Sequence, residues 1–289
     1  MTGVSMRPAA VLRPAIVTIA LLIVGIVLAH ALGGLAFLGV MLWAIILAGV
    51  AIGLFLIVRA GRPLAGAGAI VMAITVWVAF YITPQAWLLW TILFFVGVAL
   101  IVRGTVEDTL RRDAWPLLLP RVILGWALVD NAQDHFWTAW LPAGGSFLQS
   151  ATGAANRQPL YFLDPPYQEF LRGVVVPNPG VWASLVMCGE LAFGLMLAMG
   201  LFTPIGAFGA MWLNGNYMLM KGFVAHSAYT DKTFFAVELF CLIVAAGLAY
   251  GLDATLRRHA PNLVAQMLMG LPRKEPERLP VGRAEPQPT

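Results

Sequence analysis

Charge is scarce in this chain. Of 289 residues, 18 are Lys or Arg and 14 are Asp or Glu, 11% together, where a soluble globular protein carries roughly 25%. That shortage excludes ordinary soluble enzymes, disordered chains and coiled coils. Cysteine is nearly absent as well. Cys188 and Cys241 stand far apart inside apolar runs, which gives neither a disulfide framework nor a C-x-x-C redox or zinc motif. No Gly-rich dinucleotide fingerprint follows a strand pattern, so no flavin or nicotinamide site is expected. Only His30 and His135 fall near membrane depth, in different halves of the sequence, so neither a haem-ligand pair nor a metal site is expected.

What the chain has in quantity is apolar length. It is 60% apolar with a mean hydropathy of +0.82. A bilayer core takes about 20 apolar residues per helix, because hydrocarbon satisfies no open backbone group. Eight stretches meet that need: 14–34, 37–58, 64–82, 86–103, 121–141, 181–201, 204–221 and 233–251. The expectation is an all-α integral membrane protein of about eight transmembrane helices. Arg7 and Arg13 before an apolar run, with Ala-His-Ala at 29–31, resemble a signal peptide, but the run is too long for one, so it is read as the first span.

Basic residues set the orientation. If the N-terminus is cytoplasmic, the inner segments hold Arg7, Arg13, Arg59, Arg62, Arg103, Arg111, Arg112, Arg121, Arg257, Arg258, Arg273, Lys274, Arg278 and Arg283. The outer segments hold only Arg157, Arg172, Lys221 and Lys232. Both termini are therefore expected inside, in the plasma membrane, and the pI of 9.3 reports topology rather than nucleic-acid binding. Residues 259–289, rich in Pro, Arg and Glu, read as a disordered cytoplasmic tail. The outside loop 142–180 carries Phe147, Tyr161, Phe162, Tyr167 and Phe170, and reads either as a cap on the membrane surface or as a plain surface loop.

Residues 51–69 laid over 192–210 give seven identities in nineteen positions, and Thr-Leu-Arg-Arg occurs at 109–112 and again at 255–258. Four spans per copy would make two parallel four-helix repeats. This divides the chain into an N-terminal repeat (1–113) and a C-terminal repeat (114–258). Spans one to four have no charged residue in their interiors, so the first repeat reads as a scaffold or docking unit and the second as the working one.

Ionisable groups at membrane depth persist mainly where they pair or line a cavity. Span five carries Asp130, Asn131, Asp134 and His135, span six Glu190, span seven Asn214, Asn216 and Tyr217, and span eight Glu238. Asp130 and Asp134 share one helical face, with Asn131 and His135 on the adjoining strip. By their depth along each span these groups reach a similar level, which predicts a shared polar pocket facing outward. Asp134, His135 and Glu190 are the expected catalytic groups. Asp130, Asn131, Asn214, Asn216 and Glu238 are the expected substrate-binding ones. Glu238 alternatively reads as a solvated boundary residue, and the two Asn as interhelical glue.

Several motifs carry a family resemblance: Arg-x-x-x-Gly-Trp at 121–126, Pro-Tyr-x-x-Phe-Leu at 166–171, the Gly-Glu-Leu run at 189–203, and Gly-Leu-Asp-x-x-Leu-Arg-Arg at 251–258. Residues 121–258 resemble the DoxX/DoxD membrane-protein family, whose members include the small membrane subunit of thiosulfate:quinone oxidoreductases. The resemblance implies a four-helix membrane bundle linked to quinone chemistry, with Glu190 and Asn214 at the family's Glu and Asn positions. Asp134-His135 stand where family members often place a Lys, which argues against an anionic substrate, and the first four spans lie outside the usual family length.

The leading expectation is a quinone-linked oxidoreductase or its membrane subunit, with quinone as substrate. Its expected partners are the lipid bilayer and a second redox subunit or another copy of the chain. The alternatives are a proton-coupled small-molecule transporter and a non-catalytic assembly subunit. The orientation is tested with reporter fusions. Green fluorescent protein after Thr289 should fluoresce and alkaline phosphatase there should be inactive, while phosphatase inserted at Gly153 should be active; the opposite pattern would reverse the topology.

Overall fold

The computed structural model describes residues 8–109, 112–137, 145–159, 161–223, 225 and 228–269. Among them every regular element is helical: α1 (Pro8–Leu32), α2 (Gly34–Val58), α3 (Pro63–Tyr81), α4 (Trp87–Thr105), α5 (Leu118–Trp137), α6 (Gly145–Asn156), α7 (Asp164–Phe170), α8 (Pro179–Met199), α9 (Thr203–Lys221), α10 (Tyr229–Ile243), α11 (Leu252–His259) and α12 (Asn262–Met269). Proline opens α3 and α8 and follows the first residue of α9, positions where its missing N–H costs no helical hydrogen bond.

Five segments are long and apolar enough to cross a membrane: Leu12–Leu32, Gly34–Val58, Pro63–Tyr81, Pro84–Thr105 and Pro179–Met199. They correspond to the first four expected spans and the sixth. Large apolar side chains such as Ile16, Val27, Leu47, Leu54, Leu88 and Ile92 stay exposed on the N-terminal helices, as lipid-facing surface does. The remaining three expected spans map onto α5, α9 and α10, which are more polar or shorter.

One core serves both halves. Phe37, Leu42, Met72 and Phe94 belong to the same buried cluster as Val129, Ala132, Met187 and Leu191. At the crossing of α5 and α8, a Cβ on Gly125 would stand 2.5 Å from Gly194 O, and one on Gly194 would stand 2.8 Å from Gly125 O. Two facing glycines thus bring the backbones together, which sets α5 directly beside Glu190.

The span expected at 233–251 is not one continuous helix. α10 has 15 residues, about 22 Å at 1.5 Å per residue, against a hydrocarbon thickness of about 30 Å. Beyond Ile243 the chain turns through left-handed Ala245 and Tyr250 (φ +51° and +55°) around a short 3₁₀ turn, Ala246–Leu248. Irregular backbone at depth is tolerated where protein buries it and satisfies its polar groups. Here Ala245, Ala246, Leu248 and Ala249 are buried, and the wholly buried Arg121 donates to Ala246 O at 3.0 Å and Tyr250 O at 3.4 Å. The break is therefore matched by a charge from α5.

The same region fixes the turn from α8 into α9. α8 ends in a Schellman motif: Gly200 N–H donates to Leu197 O and Leu201 N–H to Met196 O, with Gly200 at φ +62°. Asp253 then accepts from Phe202 N at 2.6 Å and Thr203 N at 2.9 Å, and its own N–H donates to Gly200 O at 2.8 Å. Burial raises the Asp253 carboxyl to about 6, against the hydrogen bonds from Thr203 and Phe202 and the Arg121 charge. The turn holds α8 and α9 in the register that the polar site needs.

Two segments lie outside the bundle. The segment 142–180 contains a folded helical cap, in which Phe147, Ala151, Ala154 and Ala155 of α6 pack with Leu171 and Val175, and with Ala183 of α8. Arg157 clamps it, donating to Asp164 at 2.9 and 2.6 Å and to Leu219 O of α9 at 2.9 Å. Residues 259–289 were expected to be disordered throughout, but 262–269 form α12, which packs on α1 and α9. Ala265 and Met269, one turn apart, are the buried contacts, and Arg13 hydrogen-bonds Gln266. Residues 270–289 of that expected tail lie outside the described residues.

At the end of the bundle away from the cap, Asp108 joins the halves. Its carboxylate accepts from Arg62 at 2.9 and 2.7 Å, from Thr255 Oγ1 at 2.7 Å and from Arg258 at 2.5 Å. Tyr250 N–H donates to Thr109 Oγ1 at 3.3 Å. Thr109 of the first Thr-Leu-Arg-Arg segment and Thr255 and Arg258 of the second therefore meet the opposite half of the chain. Burial alone would raise the Asp108 carboxyl, but the hydrogen bonds from Arg62 and Thr255 and the Arg258 charge outweigh it and hold the group below the ordinary carboxylate value. A group depressed in the fold adds stability above its unfolded pKa and loses it as pH falls through the folded one. Asp108→Asn should cost about 1–3 kcal/mol at neutral pH, and the variant should lose less stability than the wild type on acidification below about pH 4. Thermal unfolding in detergent across pH checks both; an unchanged melting profile would contradict them.

Candidate polar site

α8 is apolar along nearly its whole length, and Glu190 is its one charged residue. The side chain is fully buried, so both carboxylate oxygens need partners from neighbouring helices. α5 supplies one: His135 Nδ1 lies 3.0 Å from Oε2, where its N–H donates to the carboxylate. α9 supplies the other, with the Tyr217 hydroxyl donating to Oε1 at 2.8 Å. Three helices thus meet at one acid.

Above this triad is a cavity of about 430 Å³. α5 lines it with Asn131 and His135, α6 with Phe147 and Ser150, α9 with Tyr217, Met220 and Lys221, and α10 with Asp231. Lys221 Nζ donates to Asp231 at 3.0 and 2.8 Å, which ties the last turn of α9 to the first turn of α10. Tyr167 of the cap donates to Asn216 Oδ1 at 3.3 Å. Burial pushes the Tyr167 hydroxyl above its ordinary value despite the nearby Arg157 charge, so it remains a donor at neutral pH.

A second acid lies deeper. Glu238 of α10 is fully buried and accepts from Asn214 Nδ2 at 2.7 Å. Asn214 and Tyr217 are three residues apart on α9, so each of two buried acids is held from the same helix, one turn apart.

The residues expected to gather do so in part. His135 and Glu190 are paired, Asn131 is on the cavity wall, and Asn214 is paired with Glu238. Asn216 joins the cap to α9, and its amide donates to Trp212 O at 2.8 Å. Asp130 and Asp134 are not on the cavity wall; Asp130 is half-buried and Asp134 exposed. The strip of α5 bearing Asn131 and His135 faces the cavity, and the neighbouring strip turns away. Glu238, which also read as a solvated boundary residue, is inside the protein. Lys221, Asp231 and Ser150 were not anticipated. Tyr217 stood beside the Asn residues in the sequence, and its position one turn after Asn214 was the available signal.

Residues 158–274 match the family model described as the TQO small subunit DoxD. The match includes Glu190, Asn214, Tyr217, Asp231 and Glu238, while His135 and Asn131 come from α5, before it begins. Neither the curated proteins nor the solved structures contain a match to this chain.

A double-mutant cycle tests the triad. Because His135 and Tyr217 each hydrogen-bond one fully buried carboxylate, His135→Ala, Glu190→Gln and the double variant should show a coupling of about 1–3 kcal/mol in detergent unfolding. Additivity within a few tenths of a kcal/mol would mean the contact contributes nothing.

Proposed function

We propose that the protein is the membrane subunit of a quinone-linked oxidoreductase and that the capped cavity receives a quinone headgroup. In this reading all eight helical segments lie in the plasma membrane as two parallel four-helix repeats, both termini are cytoplasmic, and the cavity faces outward. α5, α9 and α10 cross as interior helices, screened from lipid by their more apolar neighbours. The mainly apolar first repeat is the scaffold against which another subunit docks. The small-subunit description of the matching family supports that partner, which would supply or accept electrons.

The observation that carries the reading is that His135 and Tyr217, the two partners of buried Glu190, stand on the wall of a cavity of headgroup size. Small-molecule sites commonly occupy about 300–1,000 Å³ with a few convergent polar groups. A quinone carbonyl needs a hydrogen-bond donor, and a quinol hydroxyl needs an acceptor for its proton. Lys221 on the wall can donate to the carbonyl, and the Tyr217 oxygen and the His135 imidazole, whose hydrogens toward Glu190 are already used, can accept; Glu190 fixes their orientation from behind. Phe147 and Met220 give the ring an apolar contact. When bound, the quinone would supply the two-electron chemistry. The chain's own residues would position it, limit water access and move protons at the imidazole and hydroxyl.

Short-chain benzoquinones and naphthoquinones added to the purified protein provide the test. Ligand at about 100 times its Kd should stabilise the fold by about 2.7 kcal/mol. His135→Ala and Tyr217→Phe should each weaken binding by about tenfold or more, and bound quinone should protect Lys221 from amine-directed labelling. Absence of stabilisation by either quinone class would overturn the reading.

A further inference from the structure

Six carboxyl groups are buried among the described residues: Asp108, Asp164, Glu190, Asp231, Asp253 and Glu238. Asp108, Asp164 and Asp231 lie in ion pairs, with Arg62 and Arg258, with Arg157 and with Lys221, and both oxygens of Glu190 have hydrogen-bond partners, His135 and Tyr217. Asp253 takes two backbone N–H groups and has the Arg121 charge beside it. Glu238 is different. It is fully buried, its Oε1 accepts from the neutral Asn214 amide at 2.7 Å, and its Oε2 has no hydrogen-bond partner.

A carboxylate with a bare oxygen and no cation is the least favourable state for this site, because the apolar surroundings penalise the charge and only one neutral hydrogen bond, from Asn214, offsets the penalty. The neighbouring charges do not remove the difficulty. Asp231, seven residues earlier on the same face of α10, has the same sign and offers no neutralising charge. Lys221 of α9 is already bound to Asp231. Arg121 of α5 acts on Cys241 and donates to Ala246 and Tyr250. A proton on Oε2 removes the charge and leaves the Asn214 hydrogen bond on Oε1 intact.

We propose that Glu238 is a proton-loading site behind the cavity: a carboxylic acid in the resting protein that exchanges its proton with cavity water. The transfer is simple in its balance, since the Oε2–H bond breaks, the pair of electrons stays on oxygen and the proton leaves to water. Two features connect the acid to the cavity. Asp231 stands on the cavity wall two turns along the same face of α10, and Asn214 lies one turn from Tyr217, which forms part of that wall. The site deepens the reading above, in that a cavity handling quinone must accept or release protons, but its chemistry is measurable without any quinone.

Infrared spectroscopy of the full-length protein in detergent provides the test. The wild type should show a protonated carboxyl C=O band at neutral pH that is missing in Glu238→Gln, and the band should shift within minutes of transfer to D₂O. Gln keeps an oxygen for Asn214, so this variant should stay folded. The hydrophobic reagent dicyclohexylcarbodiimide, which attacks protonated carboxyls, should modify Glu238 as read by peptide mass spectrometry. Its rate should fall about tenfold per pH unit above the group's pKa. An identical band in Glu238→Gln, or a Glu238 band that does not exchange in D₂O, would overturn the proposal. Labelling and exchange at Glu238 in a protein that binds no quinone would uphold the proton site and remove the quinone reading alone.

Discussion

Inside apolar surroundings every charge and every open backbone group has to be matched within the protein, and most of this architecture follows from that constraint. Glu190 on an otherwise apolar helix can be satisfied only by partners from other helices, and His135 and Tyr217 come from α5 and α9 to meet it. The facing glycines at the α5–α8 crossing bring the imidazole's helix close enough. The break after α10 obeys the same requirement, because its freed carbonyls are taken by Arg121. Satisfying those groups from inside makes an irregular segment tolerable at that depth and lets one end of the bundle be fixed while the other carries a cavity.

The two ends of the molecule are built differently. Away from the cap, carboxylates are saturated: Asp108 takes four donors and Asp253 caps the turn into α9, which suits a structural joint. Near the cap the polar groups are shared more sparsely around an open volume, and the Lys221–Asp231 pair stands on its wall. A rigid joint and a wet cavity thus occupy opposite ends of the same helices.

Much of the frame was legible from composition. The long apolar runs of the N-terminal half became α1 to α4, and Glu190 stood out because it is the one charged residue in its span. Helical spacing identified which residues share a strip, but not which strip faces inward, so Asp130 and Asp134 were grouped with the site while the neighbouring strip of Asn131 and His135 reached the cavity. The cap was ambiguous because its apolar residues are small alanines spaced around a few aromatics. Lys221 and Asp231 lie on either side of a loop, and their pairing is a tertiary fact that spacing along one helix does not encode. The shortening of α10 was hidden because residues 244–251 are as apolar as a continuing helix, while the left-handed turns at Ala245 and Tyr250 occur at residue types that give no warning.

The Asp108 clamp has a consequence for how the molecule is made. Arg62 and Asp108 enter the nascent chain early, whereas Thr255 and Arg258 follow 147 and 150 residues after Asp108. Until they arrive, Asp108 has only the two donors of Arg62. The joint at this end is therefore completed only when α11 is made, and a chain truncated just before α11 would keep the shared core but lack the clamp.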